Sequence, residues 1–380
     1  MESRKVYFPN LNGLRFIAAA VVIVHHIEQL KFMSNLPNYW RSIAVVGLVG
    51  KLGVVLFFVL SGFLITYLLL VEEEAYSTIA VKKFYMRRVL RIWPLYFLLI
   101  VLAFVVIPYV GFLKLPGLGR ETVYKHVALK GALYVVFLPN LALSMNSYLG
   151  LLPYAYQTWS IGTEEQFYLM WPVLMKHVKK LRIPLMFAIV GIYLIVEEFL
   201  SSRFADSVPS RSVVKEFWES FNIDCMAIGG VYAILLFRKD RLMQLLLNRY
   251  AFFVILFSTG AIILRGTVVP HANNEFYAVL FGFLILNFAA NPRIGISLEY
   301  RILNYLGNIS YGLYMYHLIG IGIALAIARG LNLEANWFIY PVSFAITITL
   351  AGVSYKYFES YFLKFKSKFS KIHSGSQVAS

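Results

Sequence analysis

Long apolar segments recur along this 380-residue chain, and they constrain its fold more than any other feature. A helix needs about 20 mostly apolar residues to cross a bilayer. Apolar residues make up 59% of the chain and charged residues only 14%, against roughly 25% charged in a soluble domain. This composition excludes a soluble globule and a disordered chain. We predict an all-α, polytopic transmembrane helix bundle, with candidate spans at 12–30, 43–70, 92–113, 127–145, 159–176, 183–200, 221–237, 250–265, 275–290, 302–328 and 336–357.

Basic clusters between these segments indicate which loops face the cytoplasm, because Lys and Arg concentrate on that side. With the N-terminus inside, the region 114–176 must cross the membrane once, although it holds two apolar segments. Segment 127–145 contains Lys130 and is interrupted by Pro139-Asn140, so we expect it to be a re-entrant or interfacial helix. The prediction is about ten spans with both termini in the cytoplasm. The clusters that support it lie at 71–91, 176–182, 238–249 and in the C-terminal tail (Lys356, Lys364, Lys366, Lys368 and Lys371).

The formal net charge of +16 would suggest a nucleic-acid partner in a soluble protein. In a membrane protein this charge follows from the excess of Lys and Arg in cytoplasmic loops and from contact with anionic lipids. We therefore expect membrane lipids as partners and no nucleic acid. The single Cys225 excludes an internal disulfide and a cysteine metal cluster, and we expect no metal. We divide the chain into a transmembrane domain, 1–362, and a basic, Ser-rich cytoplasmic tail, 363–380, disordered or lying on the inner leaflet. The first apolar segment is expected to be an uncleaved helix.

Two ionisable residues share one face of the first span. Arg15 and His26 are eleven residues apart, which is close to three helical turns and about 16 Å along the axis. Ionisable groups are costly inside a bilayer and therefore mark functional positions. The alternatives are an arginine that reaches the inner headgroups and a histidine held by packing. His25 points about 100° away from His26, so we expect it only to support a substrate contact.

Two further groups of polar residues could serve either function or structure. Ser61 precedes a glycine within FFVLSGFLI, a pattern typical of close helix packing or of a substrate contact. Arg88 and Arg91 lie three residues apart, hence on one face, near the cytoplasmic end of the third span. They could set the topology or form a bidentate site for phosphate groups.

The segment TWSIGTEEQFYLMWP places carboxylates near the outer end of a span. Glu164 and Glu165 are adjacent, and Tyr168 lies four residues beyond Glu164 on the same face. Running inward from Trp159, Glu164 lies about 7 Å below the outer end, while His26 lies about 6 Å below its own. We therefore predict that Glu164 orients His26 as a general base. The alternative is an acidic pair at the interface.

The tenth predicted span carries a histidine in its apolar interior. His317 follows three tyrosines in SYGLYMYH, of which Tyr311 is the first. A hydrogen-bonded packing residue and a catalytic residue are equally consistent with this pattern.

Five motifs occur in order along the chain: NLNGLR followed by ten residues and then His26, FFVLSGFL, RRVLRIWP, TWSIGTEEQFY and SYGLYMYH. Together they resemble the acyltransferase-3 family of integral membrane O-acyltransferases over about 8–358. The resemblance implies a bacterial inner-membrane enzyme of about ten spans. It would move an acyl group, often acetyl, from acyl-coenzyme A to a carbohydrate hydroxyl. Without a following esterase-like domain, the sequence is expected to represent a stand-alone member.

The family's motifs map onto this chain residue by residue. Its arginine and histidine correspond to Arg15 and His26, and its paired arginines to Arg88 and Arg91. Its glutamate motif corresponds to Glu164 and Glu165, and the catalytic set is therefore His26, Glu164 and Glu165. Arg15, Arg88 and Arg91 are expected to bind the donor. The expected substrate contacts are His25, Ser61, Trp159, Tyr168, Tyr311 and His317.

The predicted reaction uses His26 as a general base, with Glu164 stabilising the imidazolium, or as a residue that carries the acyl group covalently. A sugar or lipid transporter could use the same charges to bind its substrate, although no internal repeat supports duplicated halves. A non-enzymatic scaffold is disfavoured, because it gains nothing from buried charge. The expected acceptor is a cell-surface carbohydrate or a lipid-linked glycan, and the sequence does not choose between them.

Overall fold

The computed structural model describes residues 5–239, 241–369 and 372–374, and this part of the chain is almost entirely helical. A short parallel pairing joins β1 (Lys5–Val6) to β2 (His373–Ser374). The α-helices are α1 (Leu11–Met33), α2 (Ala44–Tyr76), α3 (Val81–Val101), α4 (Arg120–Tyr124), α5 (Val127–Val135), α6 (Pro139–Ser144), α7 (Asn146–Leu149), α8 (Trp159–His177), α9 (Arg182–Ser201), α10 (Arg211–Ser220), α11 (Ile223–Arg238), α12 (Arg241–Leu246), α13 (Arg249–Leu264), α14 (Asn273–Ala290), α15 (Arg301–Asn308), α16 (Ser310–Gly330), α17 (Asn336–Ser354) and α18 (Ser360–Lys366). Single π-helical turns are Leu102–Val106 and Tyr355–Glu359, and 3₁₀ turns are Ile107–Tyr109, Gly111–Leu113, Tyr156–Thr158, Arg203–Ala205, Pro292–Ile294 and Ser367–Phe369.

Length and apolar composition make several of these helices membrane spans. Among the described residues, 7 helical stretches are long and apolar enough to cross a bilayer. Helix α13 is apolar but shorter. The predicted all-α transmembrane bundle is confirmed, whereas the count of ten and the side of the termini stay predictions. The 7 stretches are Leu11–Met33, Ala44–Tyr76, Val81–Tyr109, Arg182–Ser201, Arg211–Arg238, Ser310–Gly330 and Asn336–Lys366.

Segment 127–145 is broken where its sequence predicts a break. Helix α5 has 9 residues and α6 has 6, and Pro139 begins the second. Between them Phe137 adopts a left-handed conformation with φ of 60°. Neither helix is long enough to cross a bilayer alone. The ammonium of buried Lys130 donates to the carbonyls of Thr122 (2.8 Å) and Val123 (2.9 Å), which ties α5 to the preceding turn.

The centre of the bundle depends on close helix packing at glycines. Helix α2 packs against α1, α8, α11 and α14, and α16 packs against α17. At the crossing of α2 and α11, a Cβ on Gly62 would collide with the backbone of Met226, and one on Gly229 with the backbone of Val59. Only small residues let two backbones approach this closely. The packing role predicted for the Ser61-Gly62 pair therefore belongs to Gly62.

The segment after α17 includes the first residues of the predicted cytoplasmic tail, 363–380, whose division from the transmembrane domain stays a prediction. Residues 360–366 form α18, which packs against α3. Arg87 on α3 donates from Nη1 to the carbonyl of Phe369 (2.9 Å) and from Nη2 to Glu72 (3.2 Å). Residues 363–369 therefore pack on the bundle, held by an arginine and by a face of α3. Lys371 and 375–380 lie outside the described residues.

Candidate active site

A cavity of about 230 Å³ lies between α1, α2, α3, α8, α16 and the segment that follows α17. Its wall includes Val6 and Tyr7, which precede α1, and Leu363 on α18. Because both termini are predicted to be cytoplasmic, we expect the part of the cavity that these segments line to face that side. The fold brings together 7 of the predicted site residues on its wall: Arg15, Ser61, Arg88, Arg91, Glu164, Tyr168 and Tyr311.

Cationic side chains dominate the charge of this cavity. Arg15, Arg88 and Arg91 line it from α1 and α3, and Lys366 lines it from α18. Arg15 donates from Nη1 to Oδ1 of Asn12 (3.1 Å), which lies one helical turn earlier. The arginines come from two helices whose sequences place them on inward faces. The cavity can therefore bind a group with several negative charges.

Aromatic rings hold Arg88 in place without neutralising it. Its guanidinium lies 5.5 Å from the ring centre of Phe84 and 5.3 Å from that of Tyr168, within the range of cation–π contacts. Its Nε is buried and has no hydrogen-bond partner among the described residues. A buried donor of this kind is normally satisfied, so the arrangement favours an anionic ligand that completes it.

Glu164 belongs to the arginine cavity. Ser61 Oγ donates to Glu164 Oε1 (2.8 Å), and the hydroxyl of Tyr168 lies 3.4 Å from the same serine oxygen. The carboxylate also attracts Arg88 and Arg91 electrostatically. Ser61 thus contacts the functional site through its hydroxyl, while the adjacent glycine serves packing. The packing role is present at Gly62, and a substrate contact by Ser61 stays a prediction.

Five predicted site residues do not line the cavity: the three histidines, which are described below, and Glu165 and Trp159. Glu165 accepts a hydrogen bond at Oε2 from Trp93 Nε1 (3.1 Å), on another face of α8. The ring of Trp159 packs edge-on against Phe58, with centres 6.2 Å apart. Tyr311 does line the cavity, and its hydroxyl donates to the carbonyl of Ile92 (2.9 Å).

His26 and His317 form a direct pair across α1 and α16. The distance between His26 Nδ1 and His317 Nε2 is 3.2 Å. His26 Nδ1 also lies 2.9 Å from the carbonyl of Val22, and His317 Nδ1 lies 2.5 Å from the carbonyl of Tyr314. His317 is fully buried and His26 is half-buried. Two histidines therefore replace the single histidine and carboxylate that the sequence predicts.

The carbonyl contacts determine the tautomers of this pair. A carbonyl oxygen only accepts, so His317 Nδ1 carries the hydrogen that it donates to Tyr314, and neutral His317 then has a lone pair at Nε2. His26 Nδ1 faces that lone pair and the carbonyl of Val22, so it carries the hydrogen of the neutral ring. Nε2 of His26 is left with a lone pair, which is the group that a general base uses.

The predicted pairing of Glu164 with His26 is corrected by these contacts. The hydrogen bonds of Glu164 run to the α2 serine, whereas those of His26 run to Val22 and His317. Equal depth along two helices does not fix which faces meet, and the face of α1 that carries His26 turns towards α16.

His25 has a packing position. Its Nδ1 lies 2.8 Å from the carbonyl of Val46, and its ring lies 4.4 Å from that of Trp40, at an angle of 64°. The ring also fills the space beside Gly50, where a Cβ would collide with it. These contacts keep His25 away from the cavity.

Tyr314 connects the cavity with the histidine pair. Its side chain lines the cavity, its hydroxyl lies 2.6 Å from Ser160 Oγ, and it donates to the carbonyl of Gln157 (2.9 Å). Its ring centre lies 5.6 Å from that of His317. On the other side of His26, the ring of Tyr156 lies 5.9 Å away. The histidines are thus framed by one tyrosine towards the cavity and another towards the predicted outer side.

Several cavity residues were not assigned from the sequence, among them three with ionisable side chains. Lys366 and Glu359 reach it from the segment after α17, and Tyr7 reaches it from the segment before α1. Tyr7 donates a hydrogen bond to Glu299, and burial together with that carboxylate raises the pKa of the phenol, which stays protonated. The only sequence signal was the spacing of Glu359 and Lys366, seven residues apart and so on one helix face.

Comparison with known proteins assigns the chain to a family. The model of the acyltransferase-3 family, described as "Acyltransferase domain", matches residues 8–356. The chain is similar to the peptidoglycan O-acetyltransferase OatA of Listeria monocytogenes, with 26% identity over 96% of this chain. It is also similar to the acyltransferase MdmB of Streptomyces mycarofaciens, with 27% identity over 57% of this chain. No solved structure matches.

These curated relatives are longer than the region they share with the chain. The match covers 58% of the Listeria protein and 53% of the Streptomyces protein. Both names describe transfer of an acyl group, and the first names a glycan acceptor for that protein.

Proposed function

The chain belongs to the acyltransferase-3 family, and on that premise we propose that it is a membrane O-acyltransferase. It would move an acyl group, most simply acetyl, from acyl-coenzyme A to a hydroxyl of a cell-surface carbohydrate or lipid-linked glycan. The proposed location is the bacterial inner membrane. The observation that carries the proposal is a histidine whose Nδ1 contacts leave a lone pair on Nε2, one tyrosine away from a cavity lined by cations.

The cavity suits the donor by charge. Coenzyme A carries a pyrophosphate and a ribose 3′-phosphate, and arginine holds phosphate oxygens in a bidentate manner. Arg15, Arg88 and Arg91 would bind these groups, and Glu164 would keep the arginine side chains in position. The pantetheine arm would then point towards Tyr314.

The acyl transfer step would occur at His26. Its Nε2 takes the proton of the acceptor hydroxyl as that oxygen attacks the thioester carbonyl carbon. The carbon–sulfur bond breaks, and the thiolate takes the proton from Nε2, so the products are the ester and free coenzyme A. Meanwhile the imidazolium keeps its Nδ1 hydrogen directed at two acceptors, the carbonyl of Val22 and His317 Nε2.

Tyr314 and Tyr156 would control access to His26 from the two sides. The thioester arrives from the cavity and reaches His26 when the Tyr314 ring turns aside. The acceptor arrives from the predicted outer side, past Tyr156. His317 acts by positioning His26, and Glu165 and Trp159 take no part in the step.

A covalent relay uses the same lone pair. In that variant His26 Nε2 attacks the thioester, coenzyme A leaves, and the acyl group passes from nitrogen to the acceptor oxygen. Mass spectrometry of rapidly quenched protein distinguishes the two routes. An acyl adduct on the peptide that contains His26 would identify the relay.

The proposal is tested by turnover in purified protein. Wild type in lipid nanodiscs should release free thiol from acetyl-coenzyme A in the presence of a saccharide acceptor. His26→Gln should lose about 10²- to 10⁴-fold of that rate, because Gln offers no base in this pKa range. His25→Gln is the matched control, since its amide can still bond to Val46, and it should retain most of the rate.

Two outcomes would contradict the proposal. Equal rates in wild type and folded His26→Gln would move the base elsewhere. Uptake of a sugar or lipid into proteoliposomes without thioester cleavage would favour the transporter alternative.

A further inference from the structure

The segment after α17 supplies one wall of the cavity. Tyr355 and Glu359 line it from the π-helical turn, and Leu363 and Lys366 line it from α18. These four residues lie at intervals of three or four, so they share one helix face. That face is directed at the cavity over more than two turns.

This wall is fixed to the helix that carries the paired arginines. Helix α18 packs against α3, and Arg87 bonds to the carbonyl of Phe369 at 2.9 Å. Arg87 is itself held by Glu72 (3.2 Å). The position of Lys366 relative to Arg88 and Arg91 is therefore set by contacts within the fold.

Lys366 adds a fourth cationic side chain to a cavity that three arginines already line. It interacts unfavourably with Arg15, Arg88 and Arg91. The carboxylates that line the cavity are Glu164, bonded to a serine, and Glu359, which accepts from Ser354 Oγ (3.2 Å). Like charges in a site of low dielectric repel strongly unless an anion is bound between them. The cations outnumber the carboxylates, so the site favours a polyanion.

We propose that Lys366 binds the ribose 3′-phosphate of the coenzyme A donor, so that the C-terminal segment is part of the donor site. The proposal rests on the proposed function. If the thioester points towards Tyr314, the 3′-phosphate is at the opposite end of the donor. Lys366 lines the cavity together with Val6 and Tyr7, and the pairing of β1 with β2 holds these two segments of the chain side by side, so we assign this end of the cavity to the 3′-phosphate. A lysine ammonium binds a phosphate as a compact point charge.

The test is a binding measurement on the purified full chain in nanodiscs, with coenzyme A and 3′-dephospho-coenzyme A as probes. Lys366→Ala should weaken binding of coenzyme A about 10- to 100-fold, the effect of losing one charged hydrogen bond. It should leave binding of the dephospho compound unchanged, and Lys366→Arg should restore most of the affinity. Lys364→Ala, an exposed change on the same helix, is the control and should behave as wild type.

Arg88→Ala separates failure of this inference from failure of the proposed function. If Arg88→Ala weakens both compounds and folded Lys366→Ala weakens neither, Lys366 is no ligand but the donor site stands. If Lys366→Ala weakens both compounds equally, it does not bind the 3′-phosphate. If neither variant changes affinity, the cavity is not the donor site and the proposed function loses its support.

Discussion

Replacing His317 tests the histidine pair, because this residue touches the proposed base and not the substrate. In His317→Leu, His26 Nδ1 loses the acceptor that now lies 3.2 Å away and keeps the carbonyl of Val22 at 2.9 Å. His317→Gln is the conservative partner, since its side-chain oxygen can accept near the former Nε2 position. The two variants therefore differ in whether His26 keeps two acceptors or one.

The expected magnitude follows from the charge on His26 during transfer. A hydrogen bond to a charged group contributes about 1.5–3 kcal/mol, and about 1.4 kcal/mol corresponds to a tenfold rate change. His317→Leu should therefore lower kcat about 10- to 100-fold, with a small change in KM for the donor. His317→Gln should lie between Leu and wild type. Both losses are smaller than that expected for removal of the base itself.

The assay is steady-state thiol release from acetyl-coenzyme A, with melting temperatures measured on the same samples. The double variant His26→Gln/His317→Leu should be no slower than His26→Gln alone, because His317 acts only through His26. Fully additive losses in the double variant, or wild-type kcat in folded His317→Leu, would refute the positioning role.

Three further experiments test the membrane topology, the packing of α2 against α11 and the burial of Lys130. Cysteine labelling of intact cells should reach residues introduced in 201–220 and not those in 238–249, and labelling of 238–249 would contradict the ten-span topology. Gly62→Ala should destabilise the protein by about 1–3 kcal/mol through collision with α11, whereas Gly191→Ala, which meets open space, should be neutral in the same melting assay. Burial, with a smaller effect of Lys125, lowers the pKa of Lys130 in the folded protein to about 8. Below that pH the buried lysine is charged in the folded state, and this lowers the free energy of unfolding. The stability advantage of wild type over Lys130→Met should therefore grow as the pH rises from about 8 towards 10, and a constant difference would contradict it.

The transmembrane architecture could be predicted because its causes are local. Apolar length alone identifies helices such as α1, α2 and α16, and Pro139 predicts the break between α5 and α6. Ordered motifs were enough to predict the family that the match over residues 8–356 confirms.

The cavity was predictable only in part, because helix periodicity gives a face but not its neighbour. Arg15, Arg88 and Glu164 were identified from their cost in a bilayer, and the fold does bring them together. The periodicity of α1 could not show that His26 faces His317, since that depends on the crossing of α1 with α16.

The contacts of the segment after α17 could not be predicted, for a related reason. Its basic and serine-rich composition favours a disordered tail or one on the inner leaflet, and it does not show that α18 packs against α3 and brings Lys366 to the cavity. The contact with Arg87 that holds this segment joins residues 282 positions apart, and no local pattern encodes it.

The most direct test of His26 as the group that performs acyl transfer is made on the product. Mass spectrometry of surface glycans should be compared between cells without the gene, cells with wild type and cells with His26→Gln at matched expression. We predict an added acyl group in the wild-type cells alone. For acetyl, replacement of the hydroxyl hydrogen in the proposed ester-forming reaction adds about 42 Da. The same modification at the same level in His26→Gln cells would contradict the account.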